Sequence, residues 1–461
     1  MKIDFYKEAL KYKDALIKDT QKLLQINSEL TVFDEKSTTP FGPGIAEALD
    51  FMLDLGKKDG FNTLNVSGYA GHIELGDAFE FIGIMGHLDV VPAGSGWEHP
   101  AYEAKIVDNK IVARGALDDK GPTMASYYAM KLVKDLNLPL KRRVKLILGT
   151  DEESAWRGID YYFKQFPEQP VYGFIPDSAF PMTYAEKGIL GIKISGTDKK
   201  NHLLKFEAGL RTNMVPEHCL AVLSSKIYEE PFLNYLKKHN YNGKAYFKED
   251  NLVLEIEGKS AHGATPELGV NAAFLMVEFF NEIGLMNNFI DLINTYLLND
   301  TTGKKIGVDY FDEETGALTV NSGLFSYDKN KFEIVINPRY PNNVNGEELI
   351  KKMIAAFKVL GHKAELTSHQ QRLYVDPNSF LIKTLLNVYK KHTNDLEAKP
   401  LTTGGGTYAR AMQNSVAFGP EFPNTISLIH QPNEFIDIDE LVKMMAIYAE
   451  SIYELAKWNN I

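Results

Sequence analysis

Hydrophilic residues of a few types recur at separated points of this 461-residue chain: His87 and Asp89, the pair Asp118-Asp119 before Lys120-Gly121, the pair Glu152-Glu153, Asp177, and late in the chain His430. Imidazole and carboxylate donors without a thiolate suit zinc, manganese or cobalt. A carboxylate can bridge two such ions because each oxygen takes one metal. Two ions about 3.5–4 Å apart then share a water or hydroxide whose pKa falls toward neutrality. Each residue alone has a plainer reading, since an Asp at a strand end usually caps a helix and a Glu-Glu pair is usually solvated charge. Their joint occurrence is what points to a two-metal hydrolase. In His87-Leu88-Asp89 the carboxylate two residues on is expected to hold the second imidazole nitrogen and fix its tautomer.

These groups need elements to carry them. Apolar residues at helical spacing from Phe5 to Ile26 (Ala9, Leu16, Leu23, Leu24) predict a first amphipathic helix, and Ile45 to Lys58 a second. The short apolar runs Phe81 to Gly86 and Lys145 to Gly149 read as buried strands, with a helix from Pro122 to Asn137 between them. Strand, helix, strand predicts a parallel or mixed sheet with helices packed on it. His87 and Asp89 follow the first strand, Glu152 and Glu153 the second, and Asp177 follows the run Tyr172-Gly173-Phe174-Ile175. Open α/β sheets place their catalytic groups at the carboxyl ends of strands, so these clusters are expected on one edge. After Gly188 alternating segments (Leu252 to Ile256, Phe332 to Ile336) mix with helical stretches at Val270 to Gly284 and Glu347 to Leu360, predicting a separate α+β domain. A helix after Pro377, the glycines Gly404-Gly405-Gly406, a strand-like segment ending at His430 and a helix from Ile438 complete the chain. Because His430 belongs chemically with the N-terminal clusters, the middle domain is read as an insertion: residues 1–187 and 375–461 form the catalytic domain and 188–374 the insert.

Composition narrows the class. With 44% hydrophobic and 24% charged residues the chain can build a sizeable core, and its length favours two domains. A net charge of -11 offers no footprint for nucleic acid, and the basic cluster Lys141-Arg142-Arg143 is read as a solvated edge. The lone Cys219 provides neither a disulfide framework nor a thiolate metal site. The first residues lack the apolar core of a signal peptide, and no run approaches the ~20 apolar residues of a membrane span. A cytoplasmic location without membrane attachment is the expectation.

Three ordered motifs carry a resemblance: His87-Leu88-Asp89-Val90-Val91-Pro92, Arg114-Gly115-Ala116-Leu117-Asp118-Asp119-Lys120-Gly121-Pro122, and Gly149-Thr150-Asp151-Glu152-Glu153-Ser154. Together they resemble the co-catalytic metallopeptidase family of glutamate carboxypeptidase, aminoacylase and succinyl-diaminopimelate desuccinylase, over essentially the whole chain. Within it the chain is most similar to bacterial dipeptidases of the dipeptidase V type, which share Pro176-Asp177, Gly404-Gly405-Gly406-Thr407-Tyr408 and His430 followed by Asn433-Glu434-Phe435. The resemblance implies a two-domain di-metal exopeptidase fold of α/β class, with a mixed central sheet flanked by helices and an inserted α+β lid. It implies two divalent cations, zinc first, with manganese or cobalt as the other candidates. Asp118 would bridge them, through a bond to Asp119 expected to be cis; preferring Asp118 to Asp119 rests on motif alignment alone. His87 and Asp177 would complete one metal, Glu153 and His430 the other. Asp89 would orient His87, and Glu152 would act as general base toward the bridging water and then protonate the leaving amine.

In the insert the resemblance singles out Asn213 in Arg211-Thr212-Asn213-Met214, His262 in Ser260-Ala261-His262-Gly263, and Arg339 in Asn337-Pro338-Arg339-Tyr340. Asn213 and His262 would stabilise the tetrahedral oxyanion and Arg339 would grip a substrate carboxylate. Gly404, Gly405 and Gly406 would let substrate approach a bare backbone. The large insert resembles a lid that supplies its histidine within one chain, so a monomer acting on a small peptide is expected. The implied activity is hydrolysis of short peptides with a free amino terminus; an N-acyl amino-acid deacylase is the alternative. Gly258-Lys259-Ser260 fails as a P-loop because Val253 stands where the first glycine is needed. There is no Gly-x-Ser-x-Gly elbow and no His-Glu-x-x-His helix.

Overall fold

Residues 3–359 and 361–457 are described by a computed structural model and form two compact units. The first comprises Met1–Tyr184, Val375–Leu401 and Thr407–Ile461, the second Ala185–Tyr374 with Thr402–Gly406. The triple glycine, with Thr402 and Thr403 before it, thus goes with the second unit, although the chain up to Leu401 and from Thr407 belongs to the first.

The first unit is organised by a mixed sheet. Its strands lie in the order Asn62–Val66, Ala70–Leu75, Arg143–Gly149, Phe81–His87, Tyr172–Ile175, Ser415–Ala417. The first two pairings are antiparallel and the last three parallel. Every residue of Phe81–His87 is buried, as parallel strands covered on both faces require. Thr123 of helix Lys120–Asp135 packs over Gly86, whereas Met412 packs over Gly83, an odd number of residues away and so on the other face. Helix Ile438–Ala456 lies against Lys120–Asp135 and the two central strands, and its first turn is capped by the Asp437 carboxylate, which accepts from the amides of Asp439 and Glu440. Helix Pro43–Lys58 starts on a proline and packs on Ala70–Leu75.

Several expectations are corrected here. The first helix is divided by a 3-10 turn, Leu10–Tyr12, into Phe5–Ala9 and Lys13–Gln25. The helix expected from Pro122 begins two residues earlier, at Lys120. The segment leading to His430 is no strand: Thr425 to Asn433 is irregular, and His430 sits in a turn at φ 63°. Arg142 is not a solvated edge residue. It is buried, with Nε donating to Glu80 and Nη1 to the Leu455 carbonyl, so the sheet end is closed over it.

The second unit is an eight-stranded antiparallel sheet in the order Gly243–Lys248, Asn251–Glu257, His218–Leu223, Leu203–Ala208, Thr319–Asp328, Lys331–Tyr340, Gly188–Thr197, Lys363–Gln370. Alternation along Lys331–Tyr340 buries Phe332, Ile334 and Ile336, as expected of a sheet with one covered face. Helices Ala272–Glu282, Asn288–Tyr296 and Gly346–Val359 supply the cover, through contacts such as Phe206 with Phe280 and Phe289. Cys219 is buried in that core. The last of these helices was expected to reach Leu360, which lies outside the described residues.

Candidate metal centre

Three adjacent parallel strands bring the first ligands together. His87 is the last residue of Phe81–His87 and pairs with Gly149, the last of Arg143–Gly149, so Glu152 and Glu153 emerge beside it. Tyr172–Ile175 pairs with the other side of the same strand and leads to Asp177. Asp118 comes from the turn before helix Lys120–Asp135, across a cis bond to Asp119. His430 comes from its left-handed turn.

The two oxygens of Asp118 face different imidazoles: Oδ1 lies 3.0 Å from His87 Nε2 and Oδ2 2.9 Å from His430 Nε2. Asp177 Oδ2 stands 4.0 Å from His87 Nε2, and Glu153 Oε1 2.9 Å from His430 Nε2. Ligand atoms of His87, Asp118 and Glu153 fall within 4.8 Å of one another, as do those of His87, Glu152 and Asp177. Asp119 points elsewhere. Its Oδ2 accepts from the His87 amide at 3.1 Å and from the Thr123 hydroxyl at 2.9 Å. Both acceptances need the closeness that Gly86 permits, since a Cβ there would sit 2.0 Å from Thr123 Oγ1 and 2.6 Å from Asp119 Oδ2.

Asp89 acts on two partners. His87 Nδ1 lies 2.9 Å from the Asp89 main-chain carbonyl and 3.6 Å from its carboxylate, so the expected carboxylate hold on the ring is supplied chiefly by the carbonyl. The carboxylate instead accepts the amides of Glu152 (3.1 Å) and Glu153 (3.0 Å), tying the acidic pair to the histidine strand. On the far side of that pair Asp151 is fully buried and takes Arg157 through its amide and its guanidinium.

The electrostatics of the cluster suit a cation. Burial, then the neighbouring negative charges, pushes the carboxyls of Glu152 and Asp177 well above the carboxylate range and raises Glu153 too. Burial works against charge on His430, yet its bonds to Asp118 and Glu153 raise it to about 10; His87 is raised likewise by Asp118 and Asp89. Burial also opposes charge on Asp118, but the two imidazoles hold it well below the ordinary range. Desolvated oxygen and imidazole donors without a thiolate match divalent cations of the zinc, manganese and cobalt kind, and Asp118 has the orientation of a shared ligand.

The residues singled out in the insert collect within the second unit. The Asn213 carbonyl accepts the Gly263 amide at 2.7 Å, next to His262, and both Asn213 and His262 are exposed. A Cβ on Gly404 would touch Ala264 at 3.0 Å. Arg339 is buried, its Nη1 donating to the Gly404 carbonyl and its Nε to Asn337. Sequence reasoning missed Asn321, whose side-chain amide donates to the carbonyls of both Thr212 (2.7 Å) and Met214 (2.9 Å) and so clamps the peptide on either side of Asn213. No local signal distinguishes this asparagine, because its partners lie more than a hundred residues away.

The profile of Peptidase family M20/M25/M40 matches residues 83–454. A Bacillus subtilis (strain 168) protein named "Putative dipeptidase YtjP" is 40% identical, over 98% of this chain and 99% of its own length. The structure of human carnosine dipeptidase 1 aligns with a TM-score of 0.60 at 14% identity, over 98% of this chain and 99% of that one. The di-peptidase Dug1p of Saccharomyces cerevisiae aligns with a TM-score of 0.59 at 14% identity, over 99% and 98%. At such identities the solved structures speak for the fold alone, which is the expected two-domain α/β architecture.

Proposed function

This chain belongs to peptidase family M20/M25/M40, and from that premise we propose that it is a two-metal dipeptidase cleaving short peptides with a free amino terminus. The observation that carries the reading is Asp118, turned with one oxygen toward His87 and the other toward His430. His87, Asp177 and Asp118 would hold one cation, and His430, Glu153 and Asp118 the other. Zinc is the first choice, with manganese or cobalt accepted by the same donors. When bound, such cations supply Lewis acidity and lower the pKa of water.

The remaining steps fall to the chain's own groups. Glu152, which has a carboxylate oxygen within 4.8 Å of a ring nitrogen of His87 and a carboxylate oxygen of Asp177, takes the proton of the attacking water and hands it to the leaving amine. Asp89 keeps Glu152 in place through its amide and His87 through its own carbonyl. Asn213 and His262 donate to the developing oxyanion, Asn321 setting the backbone from which Asn213 projects. Arg339, its plane fixed by Asn337 and the Gly404 carbonyl, pairs with the peptide carboxylate, while Gly404, Gly405 and Gly406 present it a backbone without side chains. We read the enzyme as a cytoplasmic monomer, a reading supported by a sole cysteine sealed in a core and by the size of the insert. Among the described residues no helix is long and apolar enough to cross a membrane.

The test compares unblocked dipeptides with their N-acylated counterparts on one metal-loaded preparation and a chelated control. Cleavage of the free-amine peptides alone, lost on chelation, is expected. Cleavage of only the acylated substrates would reassign the chain to deacylation.

A further inference from the structure

A buried ion pair adjoins the metal centre. Glu434 is 0% and Arg114 1% exposed. Glu434 Oε2 takes Arg114 Nη1 at 2.6 Å, while Oε1 accepts the amides of Leu117 at 2.9 Å and of Asp118 itself at 3.2 Å. The Glu434 carbonyl also accepts the Ala113 amide at 3.0 Å. Arg114 reaches on to the carbonyls of Gln431 (3.4 Å), Pro92 (3.4 Å) and Ala93 (3.5 Å). The pair therefore joins three loops distant in sequence: the one after His87 and Asp89, the one ending in Asp118, and the one after His430. Each brings a ligand.

Stability does not account for such a pair. Withdrawing two charges from water is costly, and buried pairs can often be replaced by packed apolar residues without loss. What an apolar pair could not do is accept two consecutive main-chain amides. A carboxylate that does so fixes the peptide plane before Asp118, and with it the direction in which that side chain leaves the backbone.

We propose that Glu434 and Arg114 are positioning residues of the metal centre: Glu434 sets the Asp118 backbone so that its two oxygens address different imidazoles, and Arg114 locks the His87 and His430 loops to the same point. This rests on the reading of Asp118 as the shared ligand. Outer partners of this kind usually carry about 10–100-fold in metal affinity.

Cobalt(II) is the probe, because its visible absorption reports ligand geometry. Uptake by the full chain is measured against a competing chelator for the wild type, for Glu434→Leu, which removes the acceptor of both amides, and for the doubly apolar Arg114→Met/Glu434→Leu, which leaves no orphaned charge if the single variant fails to fold. Denaturant unfolding of the chelated proteins serves as the fold control. The wild type is expected to take two equivalents, and the variants to unfold cooperatively while binding cobalt about 10–100-fold more weakly with a changed visible band. Affinity and band equal to wild type, whatever the shift in unfolding midpoint, would make the pair structural and overturn the proposal. A wild type that does not take two equivalents would instead overturn the metal-centre reading, and the inference with it.

Discussion

Asp118→Asn and Asp119→Asn are neighbouring, chemically identical substitutions expected to have opposite consequences. Both oxygens of Asp118 are engaged, one toward each imidazole at 3.0 and 2.9 Å, so an amide nitrogen must replace a donor oxygen on one side or the other. That removes a ligand outright. The loss in metal affinity should exceed the about 100-fold, or about 2.7 kcal/mol, at the upper end of outer-shell changes. Asp119 uses one oxygen for two bonds, to the His87 amide and the Thr123 hydroxyl, and its Oδ1 has no hydrogen-bond partner among the described residues. Asparagine can keep its carbonyl oxygen on both donors and turn its NH2 to the side already unpartnered. Exchanging charged for neutral acceptance costs about 1 kcal/mol per bond. Burial also raises the Asp119 carboxyl, and the new NH2 faces a buried side without a partner among the described residues, so a stability loss of about 1–3 kcal/mol is expected with metal affinity largely kept. Calorimetric metal titration, with denaturant unfolding of the chelated proteins, measures both quantities. If Asp119→Asn lost metal as severely as Asp118→Asn, the assignment of the two aspartates would be refuted.

Glu152→Ala should lower kcat by at least about 10²-fold while two equivalents of metal remain bound; loss of metal alongside activity, seen by elemental analysis, would make Glu152 a ligand instead of the base. Asn321→Ala removes both clamps beside Asn213 and should cost about 1–3 kcal/mol in denaturant unfolding, with kcat falling more than KM rises; unchanged kinetics would detach Asn321 from the site. In the first unit, burial disfavours the Glu450 charge, but its bonds to His392 and Lys391 prevail and hold its carboxyl below the ordinary range. A depressed folded pKa contributes stability above the unfolded value of about 4.3 and loses it as pH falls through the folded one. Glu450→Gln should therefore be less stable than wild type at pH 7, with the gap closing below about pH 4. Thermal melts showing a gap independent of pH would contradict the pairing.

The sequence alone determined whatever depends on local pattern. The runs Phe81 to Gly86, Lys145 to Gly149 and Tyr172 to Ile175 are strands because each is a short apolar stretch, and the residues just past their ends meet because the strands are parallel neighbours. That logic brings His87, Glu152, Glu153 and Asp177 to one edge of the sheet. Tertiary structure decided the rest, since it turns on partners far along the chain. The same dipeptide motif is compatible with either aspartate as the shared ligand, and only the packing of Thr123 and Gly86 draws Asp119 away from the imidazoles. His430 required a left-handed turn instead of a strand, and its loop is tied through Glu434 to residues more than three hundred positions earlier. Asn321 and the buried Arg142 carry no periodicity or spacing that marks them, and the motif that holds Glu434 does not say what its carboxylate binds. Their roles lie in hydrogen bonds to main-chain groups, and every residue offers those groups alike, so only the folded backbone selects which of them come within reach.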